Sequence, residues 1–267
     1  MHRPPLFLGA LLASSVLAAC AAAAPDPGPD DAGSTAATAI VAVERTVGPG
    51  DTVRGDTVLA RFVRVRQGAV DDAALRVVGI AADVPAPGAC AAPTESASAS
   101  LAGRGVELLD VGQVTVASAV LLPRTMPDPA GVVSGVFYSS RSVDAFAAGG
   151  KVALRSTGGA DLDGFALSAT APREIADVRV LPIVAGLDVS WDADDAKDVF
   201  YVDVLAPSAR VIVRCTAGES GRVVVPYVGA DDGQVVVHRL HREAFKAKGI
   251  ETGEVRFDLA KIVAFRR

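Results

Sequence analysis

His238 and His241 are the only imidazoles beyond His2, so any general-base chemistry in the body of the chain falls to them. Their spacing, His238-Arg-Leu-His241, can be read as a metal half-site. However, Val235-Val-Val-His-Arg-Leu240 alternates as a strand does, and on a strand residues three apart face opposite sides. The two rings therefore diverge. Parity groups His238 with Val236 and Leu240, as a satisfied strand histidine, and leaves His241 exposed at a following turn. Serine hydrolysis needs a nucleophile, a base and an orienting acid in mutual reach, and no G-x-S-x-G elbow occurs. The carboxylates offer other chemistry. Asp192, Asp194, Asp195 and Asp198 follow Trp191 closely, and such a loop is a weak candidate for calcium, a hard cation that prefers oxygen ligands. Asp161-Leu-Asp163-Gly164 looks similar but shorter. Neither stretch has the spaced donors ended by a bidentate glutamate, so solvated, turn-forming aspartates are the better reading, and neither metal nor cofactor is expected. A glycosidase needs two carboxylates across a cleft, and no acid here stands in an apolar, cleft-like context. Phosphate cradles and dinucleotide fingerprints are absent. Arg61-Phe-Val-Arg-Val-Arg66 offers Arg61, Arg64 and Arg66 to an anion, but a strand with one solvated face explains the run.

The cysteines carry a more specific signal. Residues 1–5 contain His2 and Arg3, and residues 6–19 are a continuous apolar run. A membrane-spanning helix takes about 20 residues, so this run reads as an export leader, to be set aside from the fold. Its end, Leu17-Ala18-Ala19-Cys20, resembles the bacterial lipoprotein signal. The resemblance implies removal of 1–19, lipidation of Cys20 with palmitate-type acyl chains, and residence in the cell envelope. Acyl chains bind membranes with about 0.8 kcal/mol per buried methylene, and stable anchoring takes more than one chain. Ala21 after the cysteine resembles outer-membrane sorting. Ordinary cleavage among residues 21–24 is the alternative. With Cys20 lipidated, Cys90 and Cys215 remain in an oxidising compartment. Two separate thiols, Cys90 on a loop and Cys215 buried on a strand face with Val211 and Val213, is the simpler reading, and a disulfide joining the two regions is the alternative.

The elements that must position these residues are strands. The chain has 267 residues, half of them hydrophobic and only 5% aromatic, so its core is one of Val, Leu and Ala. Losing the leader removes one of 26 basic residues and none of 31 acidic ones, moving the net charge from −5 to about −6. That excludes a basic nucleic-acid footprint and a polybasic membrane surface. Residues 20–38, almost all Ala, Pro, Asp, Gly, Ser and Thr after Cys20, are too polar and small to fold and read as a flexible tether. Short Val-rich runs bounded by turn residues follow at 39–47, 57–66, 74–80, 105–117, 135–139, 151–156 and 165–170. Residues 84–102 read as a long loop. Beyond Ala171-Pro-Arg-Glu174, a domain boundary, strands are predicted at 175–183, 186–191, 199–205, 209–216, 222–228, 234–240 and 254–265. The only helix predicted is 242–248.

The pattern predicts an all-β protein of two antiparallel β-sandwich domains, 39–171 and 172–267. Gly186-Leu-Asp-Val-Ser-Trp191, an acidic loop, and then Val199-Phe-Tyr-Val-Asp-Val204 resemble the second and third strands of a fibronectin type III domain. That resemblance implies a tryptophan packed across the second sandwich. The whole chain also resembles two-domain envelope lipoproteins of GC-rich bacteria, which implies no activity. The role expected is non-enzymatic binding or scaffolding at the envelope. Its partners are the bilayer, through acylated Cys20, and an envelope protein or glycan. The alternatives are an envelope hydrolase or carbohydrate-binding module working through sandwich-end loops, and a calcium-stabilised adhesion module resting on the loop at 192–198.

Overall fold

The computed structural model describes residues 37–266 except 51, 67–69, 81–82, 94–104, 127–132, 195–196, 219–220, 227–228 and 230–231. The leader, Cys20 and the tether as far as residue 36 lie outside the described residues. Within them the protein is all-β. The first half holds β1 (Ala37–Val47), β2 (Val53–Val65), the short helix α1 (Asp72–Val77), β3 (Cys90–Ala91), β4 (Val106–Leu108), β5 (Val114–Val116), β6 (Ala119–Met126), β7 (Val133–Val143), β8 (Lys151–Gly158) and β9 (Asp163–Thr170). The second half holds β10 (Ala176–Ile183), β11 (Gly186–Asp192), β12 (Val199–Leu205), β13 (Val211–Thr216), β14 (Arg222–Val225), β15 (Asp232–Ala247) and β16 (Ile250–Arg266).

Thirteen strands form one continuous sheet in the order β3-β13-β12-β15-β16-β1-β2-β4-β7-β6-β5-β8-β9, and β10-β11-β14 form a second sheet. The second sheet packs Leu187, Val189, Trp191 and Val225 against Val202, Val204, Cys215, Val235 and Val237 of the first. Each set is every other residue of its strand, as a half-buried sheet requires. Trp191 lies in this core, 6% exposed, and stacks on Phe200 with centroids 5.4 Å apart. The large sheet also folds back on itself. Val41, Val43, Phe62 and Phe257 of its middle strands share a second core with Val114, Val152 and Leu154 of β5 and β8. A third, smaller core lies on the opposite face, where α1 sets Ala74 and Val78 on Ile40, Val63 and Leu108.

The expected division at residue 171 does not divide the sheet. β1 pairs in parallel with β16 from Ala37↔Ile250 to Val47↔Lys261, and Ile250, Val255 and Phe257 fill the core of the first half. Arg45 reinforces the junction. It makes two hydrogen bonds to Asp56, of 2.7 and 2.8 Å, donates to the Phe146 carbonyl, and also reaches Glu174.

Helix and strand change places twice relative to the sequence reading. Residues 74–80, expected as a strand, are mostly α1 and the turn after it, because Asp71 caps the helix by accepting from the Ala74 N–H at 3.0 Å. Residues 242–248, expected as a helix, continue β15 to Ala247, because pairing with β16 outweighs their helical propensity. The predicted strand at 105–117 is two strands, interrupted at 109–113 where Gly112 takes φ 74°. β6 has no counterpart among the predicted strands.

Candidate functional site

One face of the large sheet is polar across five strands. The paired positions put Arg214 beside Asp203, Tyr201 beside His238, Leu240 beside Asp258, Asp258 beside Glu44, and Arg256 beside Ala42. On β12, β13 and β15, the alternate residues Val202, Cys215 and Val237 form the core behind this face. Alternation alone predicts that such a face meets water. Instead, Gly79, Ile80 and Asp83 stand over part of it, and a strap of residues 83–91 runs on from there to pair along its β13 edge.

The strap is tied to the sheet at several points. Arg214 donates to the Asp83 carbonyl at 3.0 Å and Thr216 Oγ1 to the Pro85 carbonyl at 2.8 Å. The Gly88 N–H donates to Thr216, and the Thr216 N–H to Ala89. Arg256 donates to the Ile80 carbonyl at 2.6 Å. Finally, Cys90 is bonded to Cys215, directly opposite it on the neighbouring strand. The simpler reading, two free thiols, gives way to the disulfide. Cys215 is indeed buried, but its sulfur turns to Cys90.

Beside these segments lies a cleft of about 210 Å³ lined by the exposed Glu44 and by Leu59, Tyr201, Arg214, Arg256 and Asp258, among others. Tyr201 donates to Asp258 Oδ2 at 2.7 Å, and His238 Nδ1 lies 2.9 Å from Asp258 Oδ1. The His238 ring stacks on Tyr201 with centroids 4.2 Å apart and planes nearly parallel, and its Nε2 is 3.6 Å from Asp203. Arg214 grips Asp203 through two bonds of 2.7 Å. Burial alone would raise the Asp258 carboxyl, but His238, Tyr201 and Arg214 together hold it below its ordinary value. Glu44 moves the other way: withdrawal from water, then the charge of Asp258, raises it. Burial, with the negative charge of Asp258, raises the Tyr201 hydroxyl as well. Arg61 is desolvated, which lowers it, and Glu44 offsets this in part.

A second polar group sits near the end of β9, on the opposite face of β15. His241 Nδ1 lies 2.6 Å from Asp198 Oδ1, and its Nε2 lies 3.4 Å from Glu243. Arg239, buried against Phe200, bonds Asp198 and also Asp194. The two histidines diverge, as the strand geometry demands. His241 is not at a turn, however, since β15 runs past it.

The described aspartates of the 192–198 loop turn to protein partners or lie exposed. Asp194 and Asp198 are turned to Arg239 and His241, Asp192 is exposed at the end of β11, and Asp195 lies outside the described residues. Asp161 accepts from the Asp110 N–H, and Asp163 pairs with Lys248. Among the described residues no three His, Cys, Asp or Glu side chains are placed to hold a metal. The arginine run splits by parity. Arg61 faces the cleft side, while Arg64 and Arg66 turn to Glu107 on the other. Cys20 lies outside the described residues. The sequence reading missed the cleft residues Glu44, Tyr201, Asp203, Arg214, Arg256 and Asp258. Their signal, a charged or polar residue alternating with apolar ones, is the same as that of any solvated strand face. Among the described residues no helix is long and apolar enough to cross a membrane. Neither a protein-family model nor a curated protein sequence matches the chain.

Proposed function

We propose that the chain is a lipid-anchored protein of the bacterial cell envelope with a non-enzymatic binding role, and that the strapped cleft is its binding site. The leader and Leu17-Ala-Ala-Cys20 support the anchor, and a fibronectin-like second half, with Trp191 in its core, suits a binding module. One observation carries the non-enzymatic reading: each histidine gives Nδ1 to a carboxylate at hydrogen-bond distance and turns Nε2 toward a second carboxylate, at 3.6 Å for His238 and 3.4 Å for His241. His238 lies between Asp258 and Asp203, and His241 between Asp198 and Glu243. Neither ring presents a nitrogen to a hydroxyl nucleophile, which is what general-base catalysis by histidine requires. The binding partner is an envelope protein or glycan.

Crosslinking in intact envelopes followed by capture of the chain tests this. A partner caught by the native chain and lost with Glu44→Gln supports the reading; a partner retained by that variant removes the cleft from it. Mass spectrometry of the mature N-terminus tests the anchor. Diacylglyceryl or acyl mass on Cys20 supports it, and an unmodified N-terminal alanine sinks it.

One observation favours the hydrolase alternative. Glu44 and Asp258 are adjacent carboxyls displaced in opposite directions, the separation by which an acid and a base divide their roles. Release of reducing ends from envelope glycan by the native chain, abolished by Glu44→Gln, would establish it.

A further inference from the structure

We propose that the cleft takes a small amine–carboxylate, with its ammonium group against Glu44 and Asp258 and its carboxylate against Arg61; this rests on the cleft being the binding site. Most of the charges in and around the cleft are already engaged. Asp258 is held by His238 and Tyr201. Arg214 is held by Asp203, and Arg256 by Glu254 and the Ile80 carbonyl. Two charges of opposite sign are left over. Among the described residues Glu44 is coupled to its neighbours through charge alone. Arg61 rests over the Phe137 ring, 5.6 Å from its centroid, but makes no hydrogen bond among the described residues, and its Nε and Nη1 are buried without a partner.

Glu44 and Arg61 would form an ordinary ion pair if they could meet, but the register holds them apart. Glu44 is opposite Thr57 and Arg61 is opposite Ile40, with the pair Ala42↔Leu59 between them. Ala42 and Leu59 line the floor of the cleft, and Gly79 and Ile80 line its side. Arg61 Nη2 reaches this wall, lying 4.0 Å from where a Cβ on Gly79 would stand. The result is a slot with a carboxylate pair toward one end and apolar surface along its floor, while the Arg61 guanidinium stands just outside its lining toward the other end, with Nη2 near Gly79. A bare cation would satisfy only the Glu44 end, and a bare anion only the Arg61 end. A molecule carrying both charges satisfies the two together, with its methylenes on Ala42 and Leu59. The volume of about 210 Å³ is below the roughly 300–1,000 Å³ of sites for drug-sized ligands, so the ligand is small or is the end of a chain. An ammonium group beside Glu44 also relieves the repulsion from Asp258.

Isothermal titration of the full chain in detergent tests the proposal with alanine, γ-aminobutyrate and 6-aminohexanoate as rulers of charge separation, and with ethylamine and propionate as single-charge controls. At least one ruler binds, and both controls bind about tenfold or more weakly, as loss of one charged hydrogen-bonding partner dictates. Glu44→Gln and Arg61→Gln each weaken the best ruler by a similar factor, with folding checked by circular dichroism. Should Arg61→Gln fail to fold, the Glu44 variant and a carboxyl NMR titration suffice, because the Glu44 pKa falls when the ruler binds. Displacement of captured envelope material by the best ruler identifies a chain end as the source; binding without displacement identifies a free molecule. The proposal is overturned if no ruler binds, if ethylamine binds as tightly as the rulers, or if Glu44→Gln leaves affinity unchanged. Envelope capture that is indifferent to Glu44→Gln, alongside intact ruler binding, would overturn the functional reading and leave this one standing.

Discussion

Arg45 and Asp56 face each other with side chains only 5% and 0% exposed. Breaking a buried pair from one side leaves an uncompensated charge, so Arg45→Met is expected to lower unfolding free energy by about 3–5 kcal/mol in urea denaturation. The double variant Arg45→Met with Asp56→Leu recovers part of that loss. Recovery is incomplete, since the Phe146 N–H and carbonyl both lose partners. The cleft carboxyls give opposite pH signatures. Asp258 is held below its ordinary value of 3.8, so its contribution is full above that value and is lost as pH falls through its lower folded value. Asp258→Asn therefore flattens the acid limb of the stability profile. Glu44 is raised above 4.5, so it favours the folded state while protonated and loses that contribution as pH rises through its folded value. Glu44→Gln is expected to raise the melting temperature at neutral pH and to change it little in acid. The buried face of Cys215 and the divergence of the two histidines were legible from parity. The partners of those residues were not, because they arrive from strands distant in sequence.

Among the elements, the strap at 83–91 closes the β13 edge beside the polar face, and sequence reading could give it only as part of a long loop. Its residues are mostly Pro, Ala and Gly, which carry no periodicity, and its two-residue strand is too short to leave one. Strands with one apolar face were legible for the opposite reason: each repeats its pattern over several turns of the pleat. The disulfide joins residues 125 apart in the sequence, and removing it by Cys90→Ala with Cys215→Ala is expected to cost about 3–5 kcal/mol in urea denaturation. Cys90 is exposed and Cys215 is wholly buried among apolar residues. A thiolate attacking Cys90 must therefore expel a thiolate into an apolar core, where the charged form is disfavoured. Reduction by dithiothreitol, followed by mass shift after alkylation, is expected to be slow on the native protein and rapid in denaturing urea. Equal rates in both would show that the sulfur pair is open to attack without unfolding.

For the molecule as a whole, the all-β class was legible from composition and turn spacing, while the join between the halves was not. A strand pattern shows which face is buried but not which strand lies alongside, and β1 and β16 sit at opposite ends of the sequence. The join has a direct test. Residues 37–171 and 172–266 expressed separately are each expected to be unfolded, and together to form a soluble complex with a sheet-type circular dichroism spectrum. A first half that folds on its own would show that its core can do without Ile250, Val255 and Phe257. Strand pairing so distant in sequence must close a long loop before any contact repays it, so refolding is expected to be slow for a domain of this size.

The parallel pairing of β1 with β16 has a mechanical meaning. Ala37 begins β1 beside Ile250, near the start of β16, and both strands run on in the same direction. If the proposed anchor at Cys20 holds the chain, a pull on it enters the described fold at Ala37. If the opposing load is borne by the far end of β16, the bonds joining the two strands are sheared all at once, instead of opening one after another from an end. Placed between β2 and β16, the first strand would then resist being drawn out of the sheet from either side.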